Sequence, residues 1–119
     1  MESVLAGRTV VEVSQSPAAG LATMVMADFG ADVIWFEYGR QNRIMPKAEA
    51  LGEGYRVWHR GKSRVPVNLS ATSDAAQVEA DAIREHILAS ADVFVTDLSV
   101  ERLRELGLDW SALGIRRPD

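Results

Sequence analysis

An α/β domain, with a mainly parallel sheet flanked by helices, is what this sequence predicts. Residues Thr9–Val13 and Asp32–Phe36 are short apolar runs rich in β-branched and aromatic side chains. Between them, residues 18–29 repeat their apolar positions at helical spacing. Strand, helix and strand within residues 10–37 make the unit of a parallel sheet. The alternation then returns, with an amphipathic stretch at Asp74–Ser90 followed by the apolar run Ala91–Thr96.

Each element has its own signals. Thr9–Val13 carries three valines with little strict alternation, which suits a strand covered on both faces. Glu12 breaks that run and is expected at the strand's edge or end. Ser16 fits a helix N-cap and Pro17 the first helical position, where a missing N–H costs nothing. Met24 and Met26 read as core packing. Gly30 fits the left-handed position that ends many helices, and Trp35 reads as a packed aromatic of the second strand.

Downstream, Tyr38–Gly54 has no clean period and reads as a surface loop of seventeen residues. Loops of that length are usually functional. On spacing alone, Arg40, Arg43 and Lys47 read first as solvated charges and second as phosphate contacts. Tyr55–His59 is an aromatic patch, and Arg60, Gly61 and Lys62 make a basic turn. Val65–Leu69 reads as a short strand that Pro66 demotes to an edge or irregular position. The helix Asp74–Ser90 turns Ala76, Val78, Ala80, Ile83, Ile87 and Leu88 inward, with His86 at its surface or boundary. Ser99 caps a short helix to Leu106, Gly107 stops it, and Asp109–Leu113 forms one more helical turn.

Composition narrows the function classes. With 119 residues, 47% of them hydrophobic and 25% charged, the chain suits one globular domain. A net charge of -4 argues against a nucleic-acid partner, because phosphate binding needs clustered Lys and Arg. Cysteine is absent, which removes disulfides and thiolate chemistry. No run approaches the ~18 apolar residues of a membrane span. No basic segment leads into an apolar one near Met1, so a cytoplasmic location is the expectation. His59 has no neighbouring His, Cys or acid at ligand spacing, so neither a metal site nor a nucleophilic triad is expected. GxGxxG and Walker patterns are both missing, which leaves no dinucleotide or P-loop reading.

The order of segments resembles a known family. GRTVVEVSQSPAAGLATMVMADFGADVIWFE resembles the opening of the family III CoA-transferases, with Phe29–Glu37 standing for their "LGADVIKVE". His59–Leu69 is similar to their "NRGKRSVALDL" element. Ala91–Leu98, followed by Leu106-Gly107-Leu108, is similar to "ADVLVENFRPG...LGL". The family includes formyl-CoA transferase, carnitine-CoA transferase and α-methylacyl-CoA racemase.

The resemblance implies that residues 1–119 are the N-terminal, Rossmann-like, coenzyme A-binding portion of such a protein, an incomplete large domain. It implies CoA or acyl-CoA as substrate, no permanently bound cofactor, and a homodimer of interlinked chains or pairing with the rest of the enzyme. The family's catalytic aspartate, which passes through anhydride and thioester intermediates, lies beyond the third motif; so does the acid of the racemase branch. No catalytic residue is therefore expected within this chain, which reads as a fragment, a split subunit or a degenerate half. Apolar surface left exposed where the remainder would pack implies self-association or marginal stability.

Carried over position by position, the resemblance assigns Arg40, Arg43 and Lys62 to the CoA phosphates, with Ala18 and Val67 lining the pocket. Tyr38, Asp97 and Leu98 stand at further contact positions and depart from the family pattern. Tyr38 replaces a basic residue or proline, and Asp97-Leu98 replaces Asn-Phe. An ionised Asp only accepts hydrogen bonds where Asn also donates, and it repels phosphate. Those departures keep a second reading open: a non-catalytic half or subunit that retains the fold to pair with an active partner. An unrelated receiver-type domain would want a carboxylate cluster after the first strand, where only Glu12 stands.

Overall fold

The computed structural model describes residues 3–38, 57–69 and 74–114. Its centre is β1 (Thr9–Ser14), followed by α1 (Pro17–Asp28) and β2 (Asp32–Glu37). Then come β3 (Ser63–Pro66), α2 (Asp74–Ser90), β4 (Val93–Thr96), α3 (Val100–Leu106) and α4 (Trp110–Leu113). The four strands are all parallel, in the order β3-β2-β1-β4. That is the beginning of a doubly wound, Rossmann-like sheet.

The joins follow their residues. Pro17 opens α1 behind Ser16, whose extended backbone makes it the N-cap without a side-chain bond. At the other end Gly30 adopts φ of 100°. Its N–H donates to Ala27 O and that of Ala31 to Met26 O, a left-handed helix stop. A Cβ on Gly30 would stand 2.5 Å from that of Ser3. Ser99 caps α3 by accepting from Arg102 N at 3.1 Å, and Gly107 ends it at φ of 71°.

Alternation along the strands sends side chains to two faces. Val11, Val13 and Phe36 join Ala80, Ile83 and Ile87 of α2, with Leu106, Leu108 and Leu113 beyond, in the larger core. His86 is half-buried there, its ring edge-on to Phe36 at 6.0 Å. On the opposite face Val10 and Val33 meet Met26 and Ala27 of α1. Met24 is also half-buried, and Trp35 is 2% exposed.

Four expectations need correction. Val78, expected on the inner stripe of α2, is 66% exposed. β3 begins at Ser63 and ends at Pro66, ahead of the anticipated Val65–Leu69. Pro66 occupies the last position of an edge strand, where its missing N–H breaks no further pairing. β4 starts at Val93, with Asp92 just ahead of it still tied to β1: its N–H donates to Thr9 O at 2.8 Å and its side chain accepts from Thr9 N at 2.9 Å. Glu12 lies neither at an edge nor at an end. It sits within the central strand, opposite Trp35 and Val95, and is fully enclosed.

The outer side of β4 carries an apolar groove of about 310 Å³, lined by Phe94, Leu103 and Trp110 among others. Trp110 itself is 72% exposed. Among the described residues, no helix is long and apolar enough to cross a membrane.

Candidate functional site

The chain leaves β1 through α1 on one face of the sheet and reaches β4 through α2 on the other. Ligands of doubly wound sheets bind where the connections part in this way, outside the carboxyl ends of the strands. Here that crevice lies beyond Ser14 of β1 and Thr96 of β4. Asp97 fills its mouth. Its Oδ2 accepts from Gln15 N at 2.9 Å and from Ser16 N at 2.8 Å. Its Oδ1 accepts from the Tyr38 hydroxyl, which follows β2. One carboxylate thus ties together the ends of three neighbouring strands. Burial first, then the hydrogen bond and the charge of Asp97, push the Tyr38 hydroxyl's pKa well above its ordinary value.

Around this junction stand other residues singled out by the sequence. Ala18 is exposed in the first turn of α1. Leu98 follows Asp97, and its N–H donates to Thr96 Oγ1 at 3.1 Å. Tyr38 and Leu98 are half-buried against the larger core, which also takes Val67 at 6% exposure. The Val67 N–H extends the sheet by donating to Glu37 O at 2.8 Å. Arg40 and Arg43 lie outside the described residues.

Lys62 is directed elsewhere. Its Nζ donates to Glu12 Oε1 at 2.9 Å and to Gly20 O at 3.1 Å, and lies 3.2 Å from His59 Nδ1. Neither side chain of the ion pair has any exposure. Ser14 Oγ and Thr23 Oγ1 each donate to Glu12, both at 2.5 Å. The carboxylate therefore has a counter-ion and two hydroxyl donors, which is what burying it requires. Burial pulls the Lys62 pKa below the usual ammonium range, while the hydrogen bond and charge of Glu12 pull it back.

Small residues of α1 make room for this arrangement. A Cβ on Gly20 would stand 3.3 Å from His59 Cε1. The His59 ring lies flat on Trp35, with centroids 3.4 Å apart and planes 4° from parallel. Trp35 Nε1 donates to Ser14 O at 3.1 Å. Beside it, Glu37 accepts twice from Arg64, at 2.6 and 3.2 Å. Sequence reading singled out neither this cluster nor the partners of Asp97. The usable signals were a lone acid inside an apolar strand and the lone Thr23 on the buried face of α1. Among the described residues, no group of three or more His, Cys, Asp or Glu side chains converges to hold a metal ion.

Sheet order and connections define a doubly wound α/β domain whose crevice lies at the carboxyl ends of β1 and β4. Within that class the chain belongs to CoA-transferase family III, whose family model matches residues 5–119. It is 27% identical over 123 residues to (R)-2-hydroxy-4-methylpentanoate CoA-transferase of Clostridioides difficile, covering 97% of this chain and 29% of that protein. To the succinyl-CoA–L-malate CoA-transferase alpha subunit of Chloroflexus aurantiacus it is 26% identical over 117 residues, covering 96% of this chain and 27% of that one.

Solved structures agree on the fold. Rv3272 of Mycobacterium tuberculosis superposes with a TM-score of 0.70 at 25% identity, over 98% of this chain and 30% of that one. A CAIB/BAIF family protein of Brucella suis gives 0.71 at 24% identity, over 98% and 31%. The chain thus spans less than a third of the length of the curated relatives it matches.

Proposed function

We propose that this chain forms the coenzyme A-binding, N-terminal part of an acyl-CoA transferase, a protein that passes CoA between two carboxylic acids. The observation that carries the reading is family membership along residues 5–119, together with two relatives named as CoA-transferases. An acyl-CoA racemase shares the family resemblance, while both relatives are named as transferases. Coenzyme A is then a substrate and not a resident cofactor. The catalytic acid comes from outside residues 1–119. A homodimer, or pairing with the rest of the enzyme, and a cytoplasmic location complete the proposal.

In this reading CoA approaches the carboxyl ends of the strands. Ala18 is small and exposed where α1 begins, which leaves room for a ligand beside the helix. Tyr38 and Leu98 form a half-buried wall backed by Val67. Arg40 and Arg43 supply charge for the phosphates. Lys62 serves from beneath, holding the turn at Gly61 against β1 through Glu12 and against α1 through Gly20 O.

One observation favours the second reading, a non-catalytic partner subunit. Asp97 brings negative charge to the crevice, and that opposes a ligand carrying three phosphates. Calorimetric titration of the protein as it occurs naturally with CoA tests the choice. CoA binding that weakens at least tenfold in R40A/R43A, and falls with salt, supports the transferase part. A folded protein that takes no CoA overturns it and leaves the partner subunit.

A further inference from the structure

In a doubly wound sheet, the turn after β1 ordinarily offers its free N–H groups to a ligand. Here the N–H groups of Gln15 and Ser16 both donate to one oxygen of Asp97. The other oxygen is held by Tyr38, so the carboxylate is fixed from two sides. Asp97 itself is only half-buried. We infer that Asp97 is a specificity-determining residue: it keeps the two crevice amides from anionic ligand groups and admits uncharged ones.

The physics is substitution plus repulsion. A phosphate or carboxylate that takes the amides must displace Asp97, which then stands nearby with the same sign of charge. At a protein surface, two like charges about 5 Å apart repel strongly enough for more than a tenfold loss of affinity. An amide or hydroxyl meets no such repulsion, and can donate to the carboxylate instead of competing with it. The inference rests on the CoA-binding reading for its biological ligand. Within that reading, the uncharged pantetheine arm passes Asp97 while the phosphates stay away from it.

The test uses the protein as it occurs naturally, its D97A and D97N variants, and inorganic pyrophosphate as the anion probe. Affinity is read by calorimetry, and location by the amide NMR signals of Gln15 and Ser16. D97A should bind pyrophosphate at least tenfold more tightly than the unaltered protein, with both amide signals shifting. D97N should fall between them, since its carbonyl still accepts from the amides without the charge. If neither variant gains affinity, the inference is overturned; if D97A does not fold, D97N alone decides.

Parallel titrations with CoA and pantetheine separate the two ideas. A pyrophosphate gain with no binding of CoA or pantetheine sinks the CoA reading and leaves Asp97 as assigned. CoA binding that is equal in all three proteins, with no pyrophosphate gain, does the reverse.

Discussion

Glu12 and Lys62 form an ion pair, at 2.9 Å, whose side chains are both wholly enclosed beneath α1. Such a pair adds little over a well-packed apolar one, but losing a single partner is costly, because the other charge stays buried. Lys62→Met should destabilise the domain by about 3–5 kcal/mol. Glu12→Gln with Lys62→Met should cost much less than the two single changes added together. Urea unfolding of the four proteins, treated as a double-mutant cycle, measures the coupling. Additive losses would mean that the pair is not coupled.

Thr23 donates to the same carboxylate, and valine matches its shape without the hydroxyl. Thr23→Val should therefore cost about 1–3 kcal/mol, the loss of a hydrogen bond to a buried charge and not a packing defect. In a Glu12→Gln background the loss should shrink, since a neutral acceptor is cheaper to leave unpaired. An unchanged loss there would assign the effect to helix packing instead.

Tyr38 ties alkaline stability to the crevice. Its hydroxyl ionises at higher pH in the folded protein than in the unfolded chain, whose value lies near 10. Between those two values the folded state binds the extra proton, so stability falls as pH rises. Below about pH 10 the contribution is fully present. Urea midpoints taken from pH 8 upward should fall more steeply for the unaltered protein than for Tyr38→Phe, by at most one proton's worth. Parallel curves would show that neither the burial of Tyr38 nor its Asp97 contact persists in solution.

At α3, Ser99 should be worth what N-caps usually are. Ser99→Ala is expected to cost about 1 kcal/mol, while Ser99→Asp should nearly restore it. Thermal melts of both variants decide this, and a neutral Ser99→Ala would show that the short helix is held by Leu106 and Leu108 alone.

The frame of the fold was legible because it depends on local pattern. Valines in β1, Pro17 and Gly30 around α1, and Ser99 and Gly107 around α3 each state their role within a few residues. Pro66 announced an edge but not which residues precede it in the ladder, so β3 was read two residues too late. Glu12 was misread for a different reason. Its burial is decided by Lys62, fifty positions along the chain, and by a threonine one helix away, and neither contact leaves a periodic trace. Asp97 was noticed as a change of charge, while its contacts with Gln15, Ser16 and Tyr38 are products of the strand order.

The place of Glu12 also constrains the order in which a newly made chain can become compact. β1 is central, so its two edges are completed by strands far apart in synthesis; the partner of Thr9 N is Asp92, 83 residues later. Long-range pairings of this kind make folding slow. While only β1, α1 and β2 have left the ribosome, packing α1 onto the sheet would enclose a carboxylate whose counter-ion has not yet been made. Stable docking of α1 is therefore expected to wait for Lys62, and the emergence of that one ammonium sets the earliest moment at which this end of the protein can hold its shape.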